Sequence, residues 1–399
     1  MTNIAILGFG VVGGGVADLI SANKKECEKL GGDGINIKYI LDLRDFPDSP
    51  FADKVIHDYN LIVNDESVDC VIELMGGSHP AYEYTVAALK AGKHVITSNK
   101  EVVANYGDEF LALAKENGVS YRFEAAVGGG IPVISPLINF IKQNKIKEIR
   151  GILNGTTNYI LTKMFSFGES FESALKDAQE RGYAERNPDA DVLGIDAARK
   201  ILILGAIASG KLLSVDKIHV EGITKIRSKD VSAVEKIGCS IKLVGRAILE
   251  NGEPTVILVA PFVISGSEAL YGVSGVYNAV EIVSDPLDNV MFYGRGAGAG
   301  ATASAVVGDL MQTMRQGANY AEPSFEKMEE IKDFGEFSCK NYVALKNCDR
   351  KSVESAFGNV RFIDTVELAF ISDVISENEF DACLAKLPSC ELLSRIRVL

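Results

Sequence analysis

A cluster of carboxylates around one lysine is the part of the sequence best suited to chemistry. Its carboxylates are Glu185, Asp189, Asp191 and Asp196, and its lysine is Lys200. Asp196 and Lys200 are four residues apart in a segment predicted to be helical, so their side chains share one face. On an exposed helix such a pair is a surface ion pair worth about 0.2–0.5 kcal/mol. Residues 201–207 are almost wholly apolar, however, which predicts a buried helix whose charges are paired or bind the ammonium group of a substrate.

The glycine-rich segment Gly8-Phe9-Gly10-Val11-Val12-Gly13 follows the apolar run Ile4–Leu7 near the N-terminus. Gly8 permits a tight turn, Gly10 lets a pyrophosphate approach the backbone, and Gly13 allows a helix to pack closely on the strand. The N–H groups at the start of that helix would face the dianion. A turn that merely needs glycines is the alternative, but the strand–loop–helix context favours dinucleotide binding.

A second lysine, Lys100, closely follows a strand predicted at His94–Thr97. Ligands of open α/β sheets bind at the carboxyl ends of the strands, which is where Lys100 is expected to lie. Taken alone, a lysine in such a loop is typical of a solvated surface cation. In a closed pocket beside a nicotinamide, desolvation would favour the neutral amine, and Lys100 could then exchange protons near neutral pH.

Three charged residues follow the second predicted strand, where an acid normally binds the ribose 2′-hydroxyl of the cofactor. The strand is predicted at Ile37–Leu41, and Asp42, Arg44 and Asp45 come after it. Asp42 or Asp45 would favour NAD, whereas Arg44 could hold a 2′-phosphate and favour NADP. A salt-bridged surface cluster explains the same residues equally well, so the choice between NAD and NADP stays open.

A second glycine-rich turn, Glu124 to Pro132, has one carboxylate followed by backbone with few side chains. Such a turn can direct several carbonyl oxygens at a hard cation. Its consecutive glycines, Gly128, Gly129 and Gly130, would equally allow two segments to pack closely. The residues alone favour close packing.

These candidates need elements that position them, and the first 130 residues alternate short apolar runs with longer amphipathic ones. That rhythm predicts a parallel sheet wrapped by helices. The predicted strands are Asn3–Leu7, Ile37–Leu41, Cys70–Glu73, His94–Thr97 and Ser120–Phe123. The predicted helices are Gly13–Asn23, Ala81–Ala91 and Tyr106–Asn117, the last two ended by Gly92 and Gly118.

From about Lys147 the pattern predicts helices and a second, largely antiparallel sheet. The predicted elements are strands Glu148–Leu153, Lys242–Leu249 and Thr255–Pro261, and helices Thr157–Phe165, Phe171–Arg181, Ile195–Ser209 and Ser232–Lys236, with a further helix ending at Met314. After a charged linker at Gln316–Lys332, the chain ends in a βαββαβ pattern, which is typical of a ferredoxin-like arrangement. Its predicted elements are Asn341–Leu345, Lys351–Phe357, Val360–Ile363, Glu367–Ile371, Glu377–Leu387 and Ser394–Val398.

The composition is that of an ordinary globular protein of 399 residues, 47% of them hydrophobic and 24% charged. A net charge of −13 without a clustered basic face argues against nucleic acid or anionic lipid as a partner. No apolar run reaches the roughly 18 residues of a membrane span, and the first strand leaves no room for a signal peptide. Seven scattered cysteines without a C-x-x-C pair argue against a zinc site and a disulfide framework, and they fit a reducing, cytoplasmic compartment.

Taken in their order along the chain, these motifs resemble the homoserine dehydrogenase family. The matching segments are Gly8–Gly13, Val95–Lys100, Glu124–Pro132, Gly151–Tyr159, Gly182–Glu185, Gly194–Lys200, Gly294–Gly298 and Thr302–Ala305. They extend over about residues 3–314. Arg295 departs from the family pattern, which usually has proline there, so the local turn and any cofactor contact at Arg295 stay open.

The resemblance implies NAD(P)-dependent interconversion of L-homoserine and L-aspartate 4-semialdehyde, a step toward threonine and methionine. It implies that Lys200 or Lys100 transfers the proton and that Asp196 orients the substrate and Lys200. The implied amino-acid site comprises Gly155, Thr156, Tyr183, Glu185, Asp191, Asp196 and Lys200. The implied cofactor site comprises Gly8, Phe9, Gly10, Val11, Val12, Gly13, Arg44, Thr97, Ser98, Lys100 and Gly298. A monovalent cation, sodium or potassium, would be bound by the backbone carbonyls of Glu124, Val127, Gly129 and Ile131.

The resemblance also implies an α/β protein of three domains. They are an NAD(P)-binding Rossmann domain at 1–132, completed by a helix at about 297–315, an α+β catalytic and dimerisation domain at 133–296, and, after a linker at 316–336, an ACT-like regulatory domain at 337–399. The tail has no obvious glycine-rich turn after its first strand, which leaves threonine only a candidate effector. With the first strand so near the N-terminus we expect a monofunctional enzyme, without a fused kinase domain, that forms a homodimer or a higher oligomer.

Two other classes of protein stay open. A different Rossmann dehydrogenase would act on another amino-acid aldehyde or hydroxy acid. A phosphate-forming semialdehyde dehydrogenase among these would need a nucleophilic cysteine, and no cysteine lies in a motif. A non-catalytic sensor would bind a dinucleotide or an amino acid without oxidising homoserine, and it leaves Lys100 and the Asp196/Lys200 pair unexplained.

Overall fold

The computed structural model describes residues 1–25, 34–316 and 323–399. The described residues form two units. The first comprises Met1–Ile146, Leu202–Ser214 and Gly294–Met328, and the second comprises Lys147–Ile201, Val215–Tyr293 and Glu329–Leu399. Part of the predicted linker, residues 317–322, lies outside the described residues, and so does Cys27.

Helices of at least two turns carry the labels α1 to α10 in chain order. They are α1 Val11–Ala22, α2 Ala81–Lys90, α3 Lys100–Glu116, α4 Gly155–Phe167, α5 Phe171–Glu180, α6 Ile195–Ser209, α7 Ser228–Glu235, α8 Ala299–Gln316, α9 Arg350–Phe357 and α10 Glu377–Ala385. Single-turn helices also occur at Asn60–Val63, Ile134–Pro136 and Asp189–Val192. Among the described residues, none of the helices combines the length and the apolar character needed to cross a membrane.

The first unit contains a six-stranded parallel sheet. Its strands are β1 Thr2–Leu7, β2 Ile35–Leu41, β3 Val55–Ile56, β4 Cys70–Glu73, β5 His94–Thr97 and β6 Tyr121–Arg122. They lie in the order β3-β2-β1-β4-β5-β6, with every pair parallel. This is the order of the dinucleotide-binding fold, in which the direction of the strand order reverses beside β1 and the ligand lies at the carboxyl ends. The predicted parallel sheet is confirmed.

Two helices in the first unit begin earlier than predicted, whereas the ends of the three predicted helices differ by one residue each. Helix α1 begins at Val11 rather than Gly13, because Gly10 serves as its N-cap. Helix α3 begins at Lys100 rather than Tyr106, because the side chain of Asn99 accepts hydrogen bonds from the second and third N–H groups of the helix. Lys100 is therefore the first residue of a helix.

The second unit contains a mixed sheet that includes the chain's last strand. Its longer strands are β7 Lys145–Ile152, β8 Cys239–Glu250, β9 Glu253–Ser265, β10 Tyr277–Asp285, β11 Asp288–Arg295, β12 Ser338–Lys346, β13 Val360–Ile363, β14 Leu368–Ser372 and β15 Glu391–Val398. The order is β11-β10-β7-β8-β9-β15-β12-β14-β13. Strands β7, β8 and β9 pair antiparallel, as predicted, but the strands β10 and β11 were not predicted.

The tail has the predicted element order, with β12, α9, β13, β14, α10 and β15 following one another. Its helices and strands enclose an apolar core that includes Val343, Phe357, Phe370 and Phe380. Strand β15 pairs antiparallel with β12 and, at two positions, parallel with β9. The tail sheet is thus continuous with the rest of the sheet in this unit.

One expectation about the cysteines is wrong. Cys348 and Cys390 form a disulfide, although their spacing in the sequence argued against one. The two residues are 42 positions apart, and the tail fold brings their Cα atoms to 5.1 Å by placing the loop before α9 beside the loop before β15. This disulfide depends on the tertiary structure of the tail, so no short cysteine motif in the sequence predicts it.

Candidate active site

The glycine loop between β1 and α1 has the geometry that a bound pyrophosphate requires. Gly8 has a φ of +91°, and a Cβ on Gly13 would lie 2.1 Å from the Gly8 carbonyl oxygen. A Cβ on Gly10 would meet no atom within 4 Å, and no side chain caps the helix after it. The first N–H groups of α1 therefore adjoin open space, which fits a phosphate group at a helix N-terminus. Val11, the first residue of the helix, is exposed.

Asp42 links the glycine loop to the end of β2. Its carboxylate accepts hydrogen bonds from the Phe9 N–H at 2.8 Å, from the Arg44 N–H at 3.0 Å and from the Arg44 guanidinium at 3.1 Å. Burial alone would raise the pKa of Asp42, but these hydrogen bonds outweigh it and lower the pKa to about 2. The Arg44 side chain is 65% exposed and rests over the ring of Phe46. The segment after β2 thus carries both an acid suited to a ribose hydroxyl, Asp42, and a cation suited to a 2′-phosphate, Arg44.

Glu73 connects the carboxyl ends of β4 and β5 through hydrogen bonds. It was not among the site residues predicted from the sequence. Its carboxylate accepts hydrogen bonds from the Thr97 hydroxyl at 2.6 Å and from the Met75 N–H at 2.7 Å. Burial raises the pKa of Glu73 to about 7 despite these hydrogen bonds. Thr97 thus directs its hydroxyl at Glu73, while Ser98 and Lys100 are half-buried beyond it. The signal in the sequence that could have identified Glu73 is its position as an acid at the end of the apolar strand β4.

The second glycine-rich turn is held by its own carboxylate. The side chain of Glu124 accepts hydrogen bonds from the N–H groups of Val133, Ile134 and Ser135 at 2.7–2.8 Å. Burial raises the pKa of Glu124, and the three donors oppose that shift. A Cβ on Gly129 would lie 2.3 Å from the Gly296 carbonyl oxygen, so the glycine here allows close packing.

The predicted cation ligands of this turn are backbone carbonyls, and the turn that carries them is tight. A Cβ on Gly128 would lie 2.4 Å from the Ile131 carbonyl oxygen, so the turn folds back on itself around residues 127–131. In the part of the chain that the structure describes, no three His, Cys, Asp or Glu side chains converge as a metal site would need. Neutral carbonyl oxygens are the donors expected for a weakly charged hard cation. Gly298, a predicted cofactor contact, has a φ of +119° at the start of α8.

In the second unit, Asp196 and Lys200 form the buried pair that their spacing predicted. The Lys200 Nζ lies 2.8 Å from an Asp196 carboxylate oxygen, and the two side chains are 9% and 6% exposed. Lys200 also donates a hydrogen bond of 2.9 Å to the carbonyl oxygen of Leu153. Because both side chains are withdrawn from water, the pair is far from a solvated surface ion pair.

Asn154 organises the carboxylates around that pair. Its side-chain amide donates hydrogen bonds of 2.7 Å to Asp191 and 2.9 Å to Asp196. Its oxygen accepts a hydrogen bond from the Thr157 N–H at 2.8 Å, so Asn154 is also the N-cap of α4. The matching segment Gly151–Tyr159 contained Asn154, but nothing in the sequence assigned it this position.

The remaining predicted substrate residues lie around the N-terminus of α4 and the loop after α5. Thr156 donates a hydrogen bond of 2.6 Å to the carbonyl oxygen of Tyr183, and Gly155 begins α4. Tyr183 packs edge-on against Tyr159. The side chain of Glu185 is exposed, so the structure does not by itself join it to the buried pair.

Two family models match successive parts of the chain. The family model for the homoserine dehydrogenase NAD-binding domain matches residues 8–124, and the homoserine dehydrogenase model matches residues 132–311. A curated homoserine dehydrogenase from Neisseria gonorrhoeae is 40% identical over 316 residues, 78% of this chain and 72% of that protein. The chain belongs to the homoserine dehydrogenase family. Members of this family are oxidoreductases that act on small molecules.

Other homoserine dehydrogenases resemble the chain in sequence or in structure. The Bacillus subtilis protein is 37% identical over 337 residues, covering 81% of this chain and 77% of its own length. A crystal structure of a homoserine dehydrogenase from Thiobacillus denitrificans has a TM-score of 0.90 and 31% identity, covering 100% of this chain and 98% of that one. A hyperthermophilic archaeal homoserine dehydrogenase mutant in complex with NADPH has a TM-score of 0.67 and 30% identity, covering 78% of this chain and 97% of that one.

Proposed function

We propose that this chain interconverts L-homoserine and L-aspartate 4-semialdehyde with NADP or NAD as the hydride carrier. The observation that carries the proposal is the buried pair of Asp196 and Lys200 beside the capped start of α4. A lysine that is both desolvated and held by a carboxylate can donate a proton to an oxygen on which negative charge develops. Family membership supports the choice of substrate.

The residues that would hold the nicotinamide dinucleotide are in the first unit. The loop Gly8–Gly13 would bind the pyrophosphate, and Arg44 or Asp42 would bind the adenosine ribose. The rest of the cofactor would contact Thr97, Ser98 and Lys100 at and after the end of β5, and Gly298 before α8. When bound, the nicotinamide supplies a hydride to the aldehyde carbon or accepts one from the alcohol. The archaeal relative's complex with NADPH and the exposed Arg44 together favour NADP.

Lys200 would act on the oxygen atom of the substrate. In the reducing direction its Nζ would donate a hydrogen bond to the aldehyde oxygen and then transfer a proton to it, which yields the hydroxyl of homoserine. Asp196 would keep Lys200 oriented and protonated before the transfer. Lys100, at the first position of α3, stays the second candidate for proton transfer.

The carboxylates of the second unit would hold the substrate's ammonium group. Asp191 is fixed by Asn154, and Glu185 lies on the exposed loop after α5. The N–H groups at the start of α4, at Gly155 and Thr156, would suit the substrate's carboxylate, as at other helix N-termini. Tyr183 would complete this site.

Three further assignments belong to the same proposal. The turn at Glu124, Val127, Gly129 and Ile131 would bind sodium or potassium through its backbone carbonyls. The tail, with the strand order β15-β12-β14-β13, would be an ACT-like regulatory domain at 337–399, with threonine as a candidate effector. The chain would work as a homodimer or a higher homo-oligomer, with the domain bounds given above.

A substrate panel tests the proposed reaction. Purified protein is assayed for reduction of NADP and NAD with L-homoserine, L-serine, L-malate and 3-hydroxybutyrate, and for oxidation of NADPH with the semialdehyde. We expect turnover with homoserine and with the semialdehyde only. Cofactor binding without turnover of any of these compounds would support a sensor instead.

A further inference from the structure

A buried carboxylate without a basic partner ends strand β4 of the parallel sheet. Glu73 is fully buried and is the last residue of that strand. Its two oxygens accept hydrogen bonds from the Met75 N–H at 2.7 Å and the Thr97 hydroxyl at 2.6 Å, which are both neutral donors. A buried charge is normally paired with an opposite charge, and in the part of the chain that the structure describes no basic side chain pairs with Glu73.

Glu73 lies in the row of residues that end the three strands next to the glycine loop. Leu7, Glu73 and Thr97 occupy adjoining register positions on β1, β4 and β5. Leu7 leads directly into the glycine loop, and a Cβ on Gly8 would lie 3.0 Å from the Leu74 carbonyl oxygen. With this strand order, the adenosine half of a dinucleotide lies on the β2 side of β1, and the nicotinamide half lies at the ends of β4 and β5. Glu73 therefore lies beneath the expected nicotinamide half.

Asn99 extends the hydrogen bonds of Glu73 to the start of α3. The Thr97 hydroxyl oxygen accepts a hydrogen bond of 2.9 Å from the Asn99 N–H, and the Asn99 side chain donates one of 2.8 Å to the Gly77 carbonyl oxygen. At Gly76 and Gly77 the segment after β4 adjoins open space, since a Cβ on either would meet no atom within 4 Å. The carboxylate does not contact a ligand at this edge, but its field reaches it, because little solvent screens a buried charge.

The ionisation of Glu73 can respond to a charge at that edge. Burial raises its pKa to about 7, and the hydrogen bonds from Thr97, Met75 and Asn99 oppose that shift. At about pH 7, half of the molecules therefore carry a proton on Glu73. A positive charge nearby favours the ionised carboxylate, whereas a neutral group of the same shape does not.

Two ionisable groups on neighbouring strands keep a constant charge near neutral pH. Tyr121, on β6, interacts electrostatically with Glu73, and burial raises the pKa of Tyr121 well above its ordinary range. Burial alone would raise the pKa of Asp42, after β2, but its hydrogen bonds outweigh burial and lower it to about 2. Tyr121 is therefore neutral and Asp42 is ionised over the range in which Glu73 titrates.

Three further charged or ionisable side chains lie on α3 and on the segment before α2. Glu101 accepts a hydrogen bond of 2.8 Å from the Ser78 hydroxyl, and Lys100 beside it is half-buried. His79 is 65% exposed, and its Nδ1 lies 2.7 Å from a carboxylate oxygen of Glu83. Histidine normally changes its charge between about pH 5 and 8, so His79 has to be separated from Glu73 by experiment.

We propose that the ionised Glu73 carboxylate is a fixed counter-charge for the nicotinamide half of the cofactor and favours the oxidised, cationic ring over the reduced, neutral ring. Glu73 would act through its field and not by contact with the cofactor. Binding of the oxidised form would release the proton of Glu73 to the solvent, whereas binding of the reduced form would leave that proton in place. This inference rests on the cofactor part of the proposed function and not on the identity of the substrate.

Proton release is measured by calorimetric titration of the full chain at about pH 7. Oxidised NADP and NADPH are each titrated in PIPES and in imidazole buffer, whose ionisation enthalpies differ, so the difference in heat gives the number of protons released. The 2′-phosphate is common to both forms, so its own titration cancels in the comparison. We expect oxidised NADP to release about 0.4 proton more than NADPH. Equal release would overturn the proposal, and this measurement needs no variant.

Replacing Glu73 with glutamine removes the charge and keeps the size of the side chain. The new amide oxygen can accept from the Met75 N–H, and the new NH₂ group can donate to the Thr97 hydroxyl oxygen. At about pH 8, Glu73→Gln should weaken the binding of oxidised NADP about ten-fold and change that of NADPH less than about two-fold. The extra proton release should be lost. Equal weakening of both forms would show a purely structural role and would overturn the proposal.

Two further variants test which group releases the proton. Thr97→Val removes a donor that favours the ionised form of Glu73, so the pH at which the extra release is greatest should rise. His79→Gln removes the exposed imidazole and keeps the hydrogen bonds of Glu73, so the extra release should be unchanged. An unmoved or lower pH for Thr97→Val, or loss of the release in His79→Gln, would assign the proton to another group and refute the proposal.

Failure of this proposal can be distinguished from failure of the proposed function. A chain that binds both forms with the same proton release refutes the role of Glu73 and keeps the cofactor site. A chain that binds neither form refutes the cofactor assignment and the role of Glu73 together. A chain that shows the expected proton release but does not oxidise homoserine keeps this proposal and refutes the proposed substrate.

Discussion

Replacing Lys200 with methionine should separate catalysis from stability in this protein. Methionine keeps the length of the side chain and removes its charge, so Asp196 loses a partner at 2.8 Å and the Leu153 carbonyl oxygen loses a donor at 2.9 Å. Breaking one side of a buried pair costs about 3 kcal/mol of folding free energy, and the hydrogen bond from Asn154 to Asp196 limits the loss. A missing proton donor should lower kcat about 10³-fold, which is about 4 kcal/mol of activation free energy.

The two effects are distinguished by a second substitution and a matched control. Asp196→Asn combined with Lys200→Met removes both charges of the pair, so the free energy of unfolding should recover while kcat stays low. Lys242 is the control, since it is another buried lysine of the second unit, 5% exposed, and donates to the Val273 carbonyl oxygen at 2.6 Å. Lys242→Met leaves the Val273 carbonyl oxygen without this donor, so it should destabilise the protein by about 1–3 kcal/mol, but kcat should stay within about ten-fold of the original.

The assay is oxidation of NADPH by the semialdehyde, with unfolding by urea and binding of NADPH measured on the same preparations. NADPH should bind to the Lys200→Met variant with nearly unchanged affinity, because the pyrophosphate is assigned to the Gly8–Gly13 loop and not to Lys200. The reasoning fails if Lys200→Met turns over at close to the original rate. It fails equally if Lys242→Met loses activity to the same extent, since a general loss of packing would then explain both results.

Three further predictions concern the first unit. Gly13→Ala should weaken cofactor binding at least about ten-fold in a fluorescence titration, because its Cβ would lie 2.1 Å from the Gly8 carbonyl oxygen, and unchanged affinity would contradict the close packing. Arg44→Ala should raise the Kd for NADPH about ten-fold and leave that for NADH nearly unchanged, whereas equal effects would assign the ribose contact to Asp42. Burial raises the pKa of Asp309 to about 8, so the folded state holds a proton there that the unfolded state has lost above about pH 4. The free energy of unfolding, measured with urea, should therefore fall as the pH rises from about 4 to 8. Asp309→Asn should make it less dependent on pH in that range, and an unchanged pH dependence would show that another group is responsible.

The local part of the site could be predicted because it depends on spacing along the chain. Asp196 and Lys200 are four residues apart, and the apolar residues after them require burial, so a paired arrangement follows from the sequence. The glycine loop likewise follows from three glycines between a strand and a helix. Strand bounds such as Cys70–Glu73 and His94–Thr97 were predicted because short apolar runs with clear ends define them.

What could not be predicted depends on contacts between distant segments. Asn154 lies 37 and 42 residues from the carboxylates it binds, and no spacing rule connects them. The strands β10 and β11 were missed because β11 is an edge strand with mostly exposed side chains, so its apolar pattern is weak.

The path of the hydride tests the central proposal most directly. The protein is incubated with L-aspartate 4-semialdehyde and NADPH carrying deuterium at the transferable C4 position, and the amino-acid product is analysed by mass spectrometry. We expect homoserine with a single deuterium on the carbon that bears the hydroxyl group, and none when Lys200→Met replaces the original chain for the same short time. Homoserine without deuterium, or oxidation of NADPH without homoserine, would contradict the proposed reaction.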